Sequence, residues 1–244
     1  MYRFGKHPPK VDYRTLRFRA YATAALAAPP PSANALERVF KNLHTANVSD
    51  LFPMDGNDLL GDCTIAGVAH AVTTYEGRIG GEKIMSKRGV VKLYMHLTGG
   101  VDSGLAMLDV LNHWHQHQVS GDKILAFVSI DPKNHRHVQQ AIAMFGGVYL
   151  GFQVQRDCLD DFQAGKTWTP GPLTTDGHAV YAVGYDQHNV SVLTWGSSHT
   201  GTWDWWDECV DEAYAILSPE TKKPGFAPGF DFAQLEADLD AVAN

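Results

Sequence analysis

A cysteine set between a polar, glycine-containing loop and a long apolar run constrains this chain more than any other feature. The loop reads Asn57-Asp58-Leu59-Leu60-Gly61-Asp62, and Cys63 follows it directly. Beyond the cysteine, Ile65, Val68, Ala69, Val72 and Tyr75 recur at three and four residues, which is one face of an amphipathic helix. Asp62 is a suitable N-cap, so Cys63 is expected in the first turn, at the positive end of the helix dipole. A thiol placed there ionises more easily, and the thiolate is the nucleophile. A buried structural cysteine is the competing reading of the same residues.

The rest of the chain narrows the setting. At 244 residues, 44% apolar and 19% charged, it suits one large domain or two lobes sharing a cleft. A net charge of -7 gives no general attraction to phosphate backbones, so nucleic acid is not expected as a partner. Arg3, Lys6, Lys10, Arg14, Arg17 and Arg19 form a local basic exception, read as a solvated arm that offers itself to a protein partner. Cys63, Cys158 and Cys209 cannot all pair and match no zinc spacing, which predicts free thiols in a reducing, cytoplasmic setting. Tyr21 and Thr23 argue against a signal peptide in the alanine-rich run at 20–28, and no apolar stretch approaches a membrane span. His113 and His117 share a helical face but have no acidic or cysteine partner, so neither a metal nor any other cofactor is predicted.

Taken in order, residues 1–35 read as an extended Pro/Arg/Ala-rich leader outside the core. Helices are expected over 35–43 (capped by Asn34), after Cys63, over 90–97 and over 105–117. The second half turns to strands at 124–130, 148–154, 179–185 and 190–195, with a helix over 135–145. Residues 160–166 read as a turn-rich loop, and Trp203, Trp205 and Trp206 as aromatic packing behind the sheet. A last helix, capped by Asp231, is expected over 231–242. Helices first and short strands later make an α+β chain, with a helical lobe at about 50–120 and an antiparallel sheet or partial barrel at about 121–220. Residues 36–220 form the main domain and 221–244 a tail.

A cysteine nucleophile needs a base, a group that orients the base, and donors for an oxyanion. Among the 12 histidines, His178 stands out: the turn-like Thr174-Thr175-Asp176-Gly177 precedes it and a strand follows. Gly61-Asp62-Cys63 opening a helix, then His178-Ala179-Val180-Tyr181-Ala182-Val183-Gly184-Tyr185, then Trp195-Gly196, resembles the papain-like cysteine peptidases. The resemblance spans about 53–217 and implies a two-lobe fold in which a helix bearing the cysteine faces a sheet bearing the histidine. It implies Cys63 as nucleophile, His178 as general base and acid, Asn57 in place of the oxyanion glutamine, and Trp195 as the tryptophan that shields the histidine. Cleft walls are then expected from 99–104, with Gly104 at the substrate, and from 157–175.

The departures are specific. The family's orienting asparagine is missing, leaving Leu193 or Thr194 at its position; only the Thr194 hydroxyl accepts a hydrogen bond from the imidazole. Thr64 replaces the aromatic that follows the cysteine in the family. The implied activity is hydrolysis of peptide or amide bonds through a thioester, with an ion pair that lowers the cysteine pKa. Two alternatives stand beside it: an impaired fold serving as a binding or structural component of a larger assembly, and an acyl transferase or transpeptidase.

Overall fold

In the computed structural model, residues 2–45, 47–222 and 227–243 are described. The first third is helical: α1 (Phe18–Tyr21), a two-residue strand β1 (Ala33–Asn34), α2 (Ala35–Leu43), α3 (Val48–Leu51) and the central α4 (Cys63–Arg78). Then come α5 (Lys87–Leu97), α6 (Met107–Gln116), β2 (Ala126–Ile130), α7 (His135–Phe145), β3 (Val148–Gln155) and α8 (Cys158–Gln163). The remainder is β4 (Leu173–Tyr185), β5 (Asn189–Thr194), β6 (Ser197–Thr202), α9 (Trp203–Cys209), β7 (Val210–Leu217) and α10 (Phe232–Ala243). Among the described residues no helix is long and apolar enough to cross a membrane.

The sheet is antiparallel with order β2-β7-β3-β4-β5-β6, and β1 adds to β4 at Tyr185 and Gly184. One face carries a core built on Val128, Leu150, Phe152, Trp168 and Trp205, covered by α7 and α9. The other face carries Tyr149, Ala179, Tyr181 and Tyr214, which pack against Ile65, Val68 and Val72 of α4. Period-2 alternation along β3, β4 and β7 therefore divides the molecule into two cores with the sheet between them. Helix α4 is buried nearly all round, which only a helix wedged between a sheet and other helices can be. Its Gly67 lies under the Tyr149 ring: a Cβ there would come within 2.7 Å of it.

Several expectations needed correction. Residues 160–163 of the loop expected at 160–166 belong to helix α8, whose first residue, Cys158, is buried and accepts from the Trp168 indole at 2.9 Å. The turn expected before His178 is continuous strand from Leu173, paired to β3. The N-terminal region is extended over much of its length, yet it is not a solvated arm. Phe18, Tyr21 and Leu26 are buried in the core beside Phe145 and Phe230. Ala, Pro and Arg dominate the composition there and hide the three larger apolar side chains that anchor it.

Candidate active site

The cysteine is held at its helix head by a polar brace. The Gly61 amide donates to the Asp102 carboxylate at 2.9 Å, and the Tyr94 hydroxyl donates to the same oxygen at 2.6 Å. Tyr94 in turn accepts from the Gly104 amide at 2.8 Å, so one carboxylate and one phenol tie the 100–104 loop to the cysteine loop. Asp62 precedes the helix as expected but does not cap it through its side chain. Its carboxyl is buried, and desolvation raises its pKa to about 7.

His178 lies on β4 directly opposite Phe152 of β3. Its Nε2 is 2.8 Å from the Thr194 hydroxyl, and its ring stacks on Trp195 with centroids 4.4 Å apart and planes at 19°. That leaves Nδ1, which is buried and has no hydrogen-bond partner. Trp195 and Gly196 are the two central residues of the β5–β6 turn, with φ of 47° and 74°. A primed two-residue turn requires positive φ at both positions. The strained tryptophan backbone lays the indole over the imidazole while Thr194, the last paired residue of β5, reaches Nε2. The amide of Ala179, the residue after His178, faces the Cys63 sulfur. Helix head and strand thus meet at the sulfur.

Asn57 is buried in the cysteine loop, with its Nδ2 donating to the Leu60 carbonyl at 3.0 Å. The structure therefore engages locally the amide that the resemblance assigns to an oxyanion. Among the described residues no three His, Cys, Asp or Glu side chains converge as metal ligands.

What sequence reasoning missed is that the groove is filled by residues 2–7. The Arg3 amide donates to the Asn57 carbonyl at 2.9 Å, Lys6 to Gly177 at 3.1 Å and His7 to Leu105 at 3.0 Å, while Leu105 returns a bond to Gly5 at 2.8 Å. The segment is thus hydrogen-bonded to both sides of the groove. Tyr2 and Phe4 pack on Trp195 at 5.0 and 5.9 Å, and Phe4 sits edge-on to His178 at 5.6 Å. Gly5 passes the helix head so closely that a Cβ would lie 1.8 Å from the Gly61 carbonyl oxygen. Gly104 lines the same passage against the Gly5 carbonyl.

Beneath this strap the reactive groups are desolvated. Cys63 and His178 are each 1% exposed. Burial pushes the thiol up to about 11, against smaller help from the Ala179 and Gly5 amides. Burial pushes the imidazole down to about 3, with His70 adding in the same direction. The sequence predicts an ion pair; with the strap in place both groups are neutral, because a dry groove penalises each charged form. A sequence signal for the strap exists in Glu212, a carboxylate on the buried stretch of strand β7, since a buried acid demands a cation. Lys6 supplies it.

No family model matches the chain, and no curated protein resembles it in sequence. Solved structures do resemble it in shape. Xylellain, a cysteine protease from Xylella fastidiosa, superposes with a TM-score of 0.65 at 17% identity, covering 89% of this chain and 96% of its own. Digestive procathepsin L2 proteinase from Tenebrio molitor larval midgut gives 0.58 at 15% identity, covering 78% of this chain and 69% of its own. A cysteine protease of Carica candamarcensis gives 0.51 at 14% identity, over 78% and 99% of the two chains. The chain has the papain-like cysteine protease fold.

Proposed function

We propose that the chain is a cysteine-dependent hydrolase of peptide or amide bonds, held latent by residues 2–7. The observation that carries this reading is the imidazole of His178, oriented at Nε2 by Thr194, clamped by Trp195, and left with an unpartnered Nδ1. Once the strap leaves, water and substrate re-enter, and His178 Nδ1 takes the proton from the Cys63 thiol. The Thr194 hydroxyl accepts from Nε2–H and fixes the tautomer, as an orienting partner must. The thiolate adds to the substrate carbonyl. The Cys63 amide and the Asn57 Nδ2, released from Leu60, donate to the oxyanion. Imidazolium returns its proton to the leaving amine, giving a thioester, which water then hydrolyses with His178 as base.

An electrophilic peptide probe tests this. Labelling at Cys63 that vanishes in Cys63→Ala and drops at least tenfold in His178→Ala supports the hydrolase; labelling indifferent to His178 sinks it. A second reading, a papain-like fold that binds without cleaving, has one observation in its favour: the engagement of Asn57 Nδ2 by Leu60. A chain that never labels, with or without the strap docked, supports that reading.

A further inference from the structure

Away from the groove, the fold brings a third histidine to the pair that the sequence shows on one helical face. His113 lies in the last turn of α6, and His117 follows the helix as its cap residue, with its amide donating to the His113 carbonyl at 2.7 Å. Their ring centroids are 4.7 Å apart. The added residue is His96, next to last in α5, whose ring lies 6.2 Å from that of His113. Among the described residues no hydrogen bond engages a ring nitrogen of these three. By contrast, the His7 ring is held by the Ser103 carbonyl at 2.6 Å and the His135 ring by Asp207 at 2.7 Å. His96 and His117 are exposed and His113 is half-buried. Burial, and then the charges of His117 and His96, lower the His113 pKa, which favours the neutral imidazole that a metal ligand must be.

We propose that His96, His113 and His117 form a site for a divalent metal ion of the imidazole-preferring class, zinc above all, and that the ion staples α5 to α6. Nitrogen-to-metal bonds of about 2.1 Å put two rings that share a tetrahedral ion at a centroid separation of about 5 Å. His113 and His117 already stand at that separation. As the side chains lie, the three rings do not aim at one centre, and the His96 ring must approach by about 1 Å to reach the same spacing. An exposed side chain changes rotamer within nanoseconds, so a turn of the His96 ring supplies the move. The staple bears on the cysteine loop. The segment that it closes, 96–113, contains Asp102, which accepts the Gly61 amide. Closing that segment removes freedom from the unfolded chain, so the ion is expected to stabilise the fold.

The test is calorimetric titration of zinc chloride into the full chain without a histidine tag, in a Cys63→Ala background so that the thiol of the groove does not compete. One ion per chain is expected, and His96→Ala, His113→Ala and His117→Ala are each expected to weaken binding at least tenfold. His115→Ala alters a ring on the same helix that packs on Phe127 at 6.3 Å, and is expected to leave the dissociation constant within about twofold. Zinc should raise the melting temperature of the parent chain and leave that of His96→Ala unchanged. An affinity indifferent to His96→Ala overturns the proposal, because two histidines of one helix then hold the ion without joining α5. Absence of binding at millimolar zinc overturns it, as does an equal loss in His115→Ala. The three side chains reach solvent, so circular dichroism of the variants without zinc is expected to match the parent; a variant that fails to fold makes the cluster a packing feature and ends the metal reading.

Discussion

The Thr194 hydroxyl lies 2.8 Å from the His178 Nε2, and in the proposed mechanism this neutral group orients the imidazole. A single neutral hydrogen bond is worth about 1 kcal/mol net, so Thr194→Val is expected to lower kcat by about fivefold with KM little changed. Steady-state kinetics on a peptide substrate separate the two constants, and an unchanged kcat would remove Thr194 from the mechanism. The thiol supplies a second prediction at this scale. In the closed groove its pKa rises from about 9 to about 11 because burial disfavours the thiolate. A pKa raised by folding contributes stability that is fully present below the ordinary value and lost as pH rises through the folded one. The melting temperature is therefore expected to fall between about pH 9 and 11, and to fall less in Cys63→Ala. Cys209, pushed up to about 12 by burial, shifts in the same direction in both proteins, so the difference isolates Cys63. Alkylation of the closed chain should keep rising with pH to about 11, whereas an open groove with an ion pair would react already at pH 6.

The β5–β6 hairpin shows how one element sets two residues of the site at once. Its turn holds Trp195 and Gly196 at positive φ, and both the stack on His178 and the Thr194 contact depend on that bend. Gly196→Val forces a branched side chain into a conformation it rarely adopts, at a cost of about 1–3 kcal/mol. A lower denaturant midpoint together with reduced turnover is the expected pair of effects; lost stability with turnover intact would mean that the turn does not position the site. This hairpin also marks what the amino-acid pattern carries. Helical spacing after Cys63 and alternation across β4 and β5 are local, so the elements that carry Cys63, His178 and Thr194 were legible in order; the roles expected of these residues came from the family resemblance, which left Leu193 or Thr194 beside Trp195. Helix α8 was not legible, because its six residues are too few to show a period. The docking of residues 2–7 was not either, since most of its hydrogen bonds are backbone and its one buried charged anchor answers to acids about 200 positions away. Asp62 misled for a related reason: the residue type suits a cap, yet burial leaves its carboxyl unused by the first turn.

Across the whole molecule, residues 2–34 form a belt whose two ends differ in strength. From the groove it passes Lys10, paired with Asp109, and reaches the edge of β2, where the Ser129 amide donates to Leu16 at 2.8 Å. Phe18 and Tyr21 then enter the core, the Tyr21 hydroxyl donates to Asp238 at 2.9 Å, and β1 closes the circuit against β4. The rear of the belt is core, so Phe18→Ala is expected to cost about 3–5 kcal/mol of global stability. The front rests on a few hydrogen bonds, the packing of two aromatic side chains (Tyr2 and Phe4) and one buried ion pair, and such a unit opens locally at less than the global free energy. Hydrogen exchange on the full chain distinguishes the ends. The Lys6 and His7 amides should exchange faster than the Ser129 amide and the Asp231 amide bonded to Tyr21, and Phe4→Ala should speed the first pair while leaving the second unchanged. A fold that let all four go together would make the strap inseparable from the core. A groove that opens alone is what a latent enzyme requires, because the charged pair forms only where water has returned and the sheet behind it has not moved.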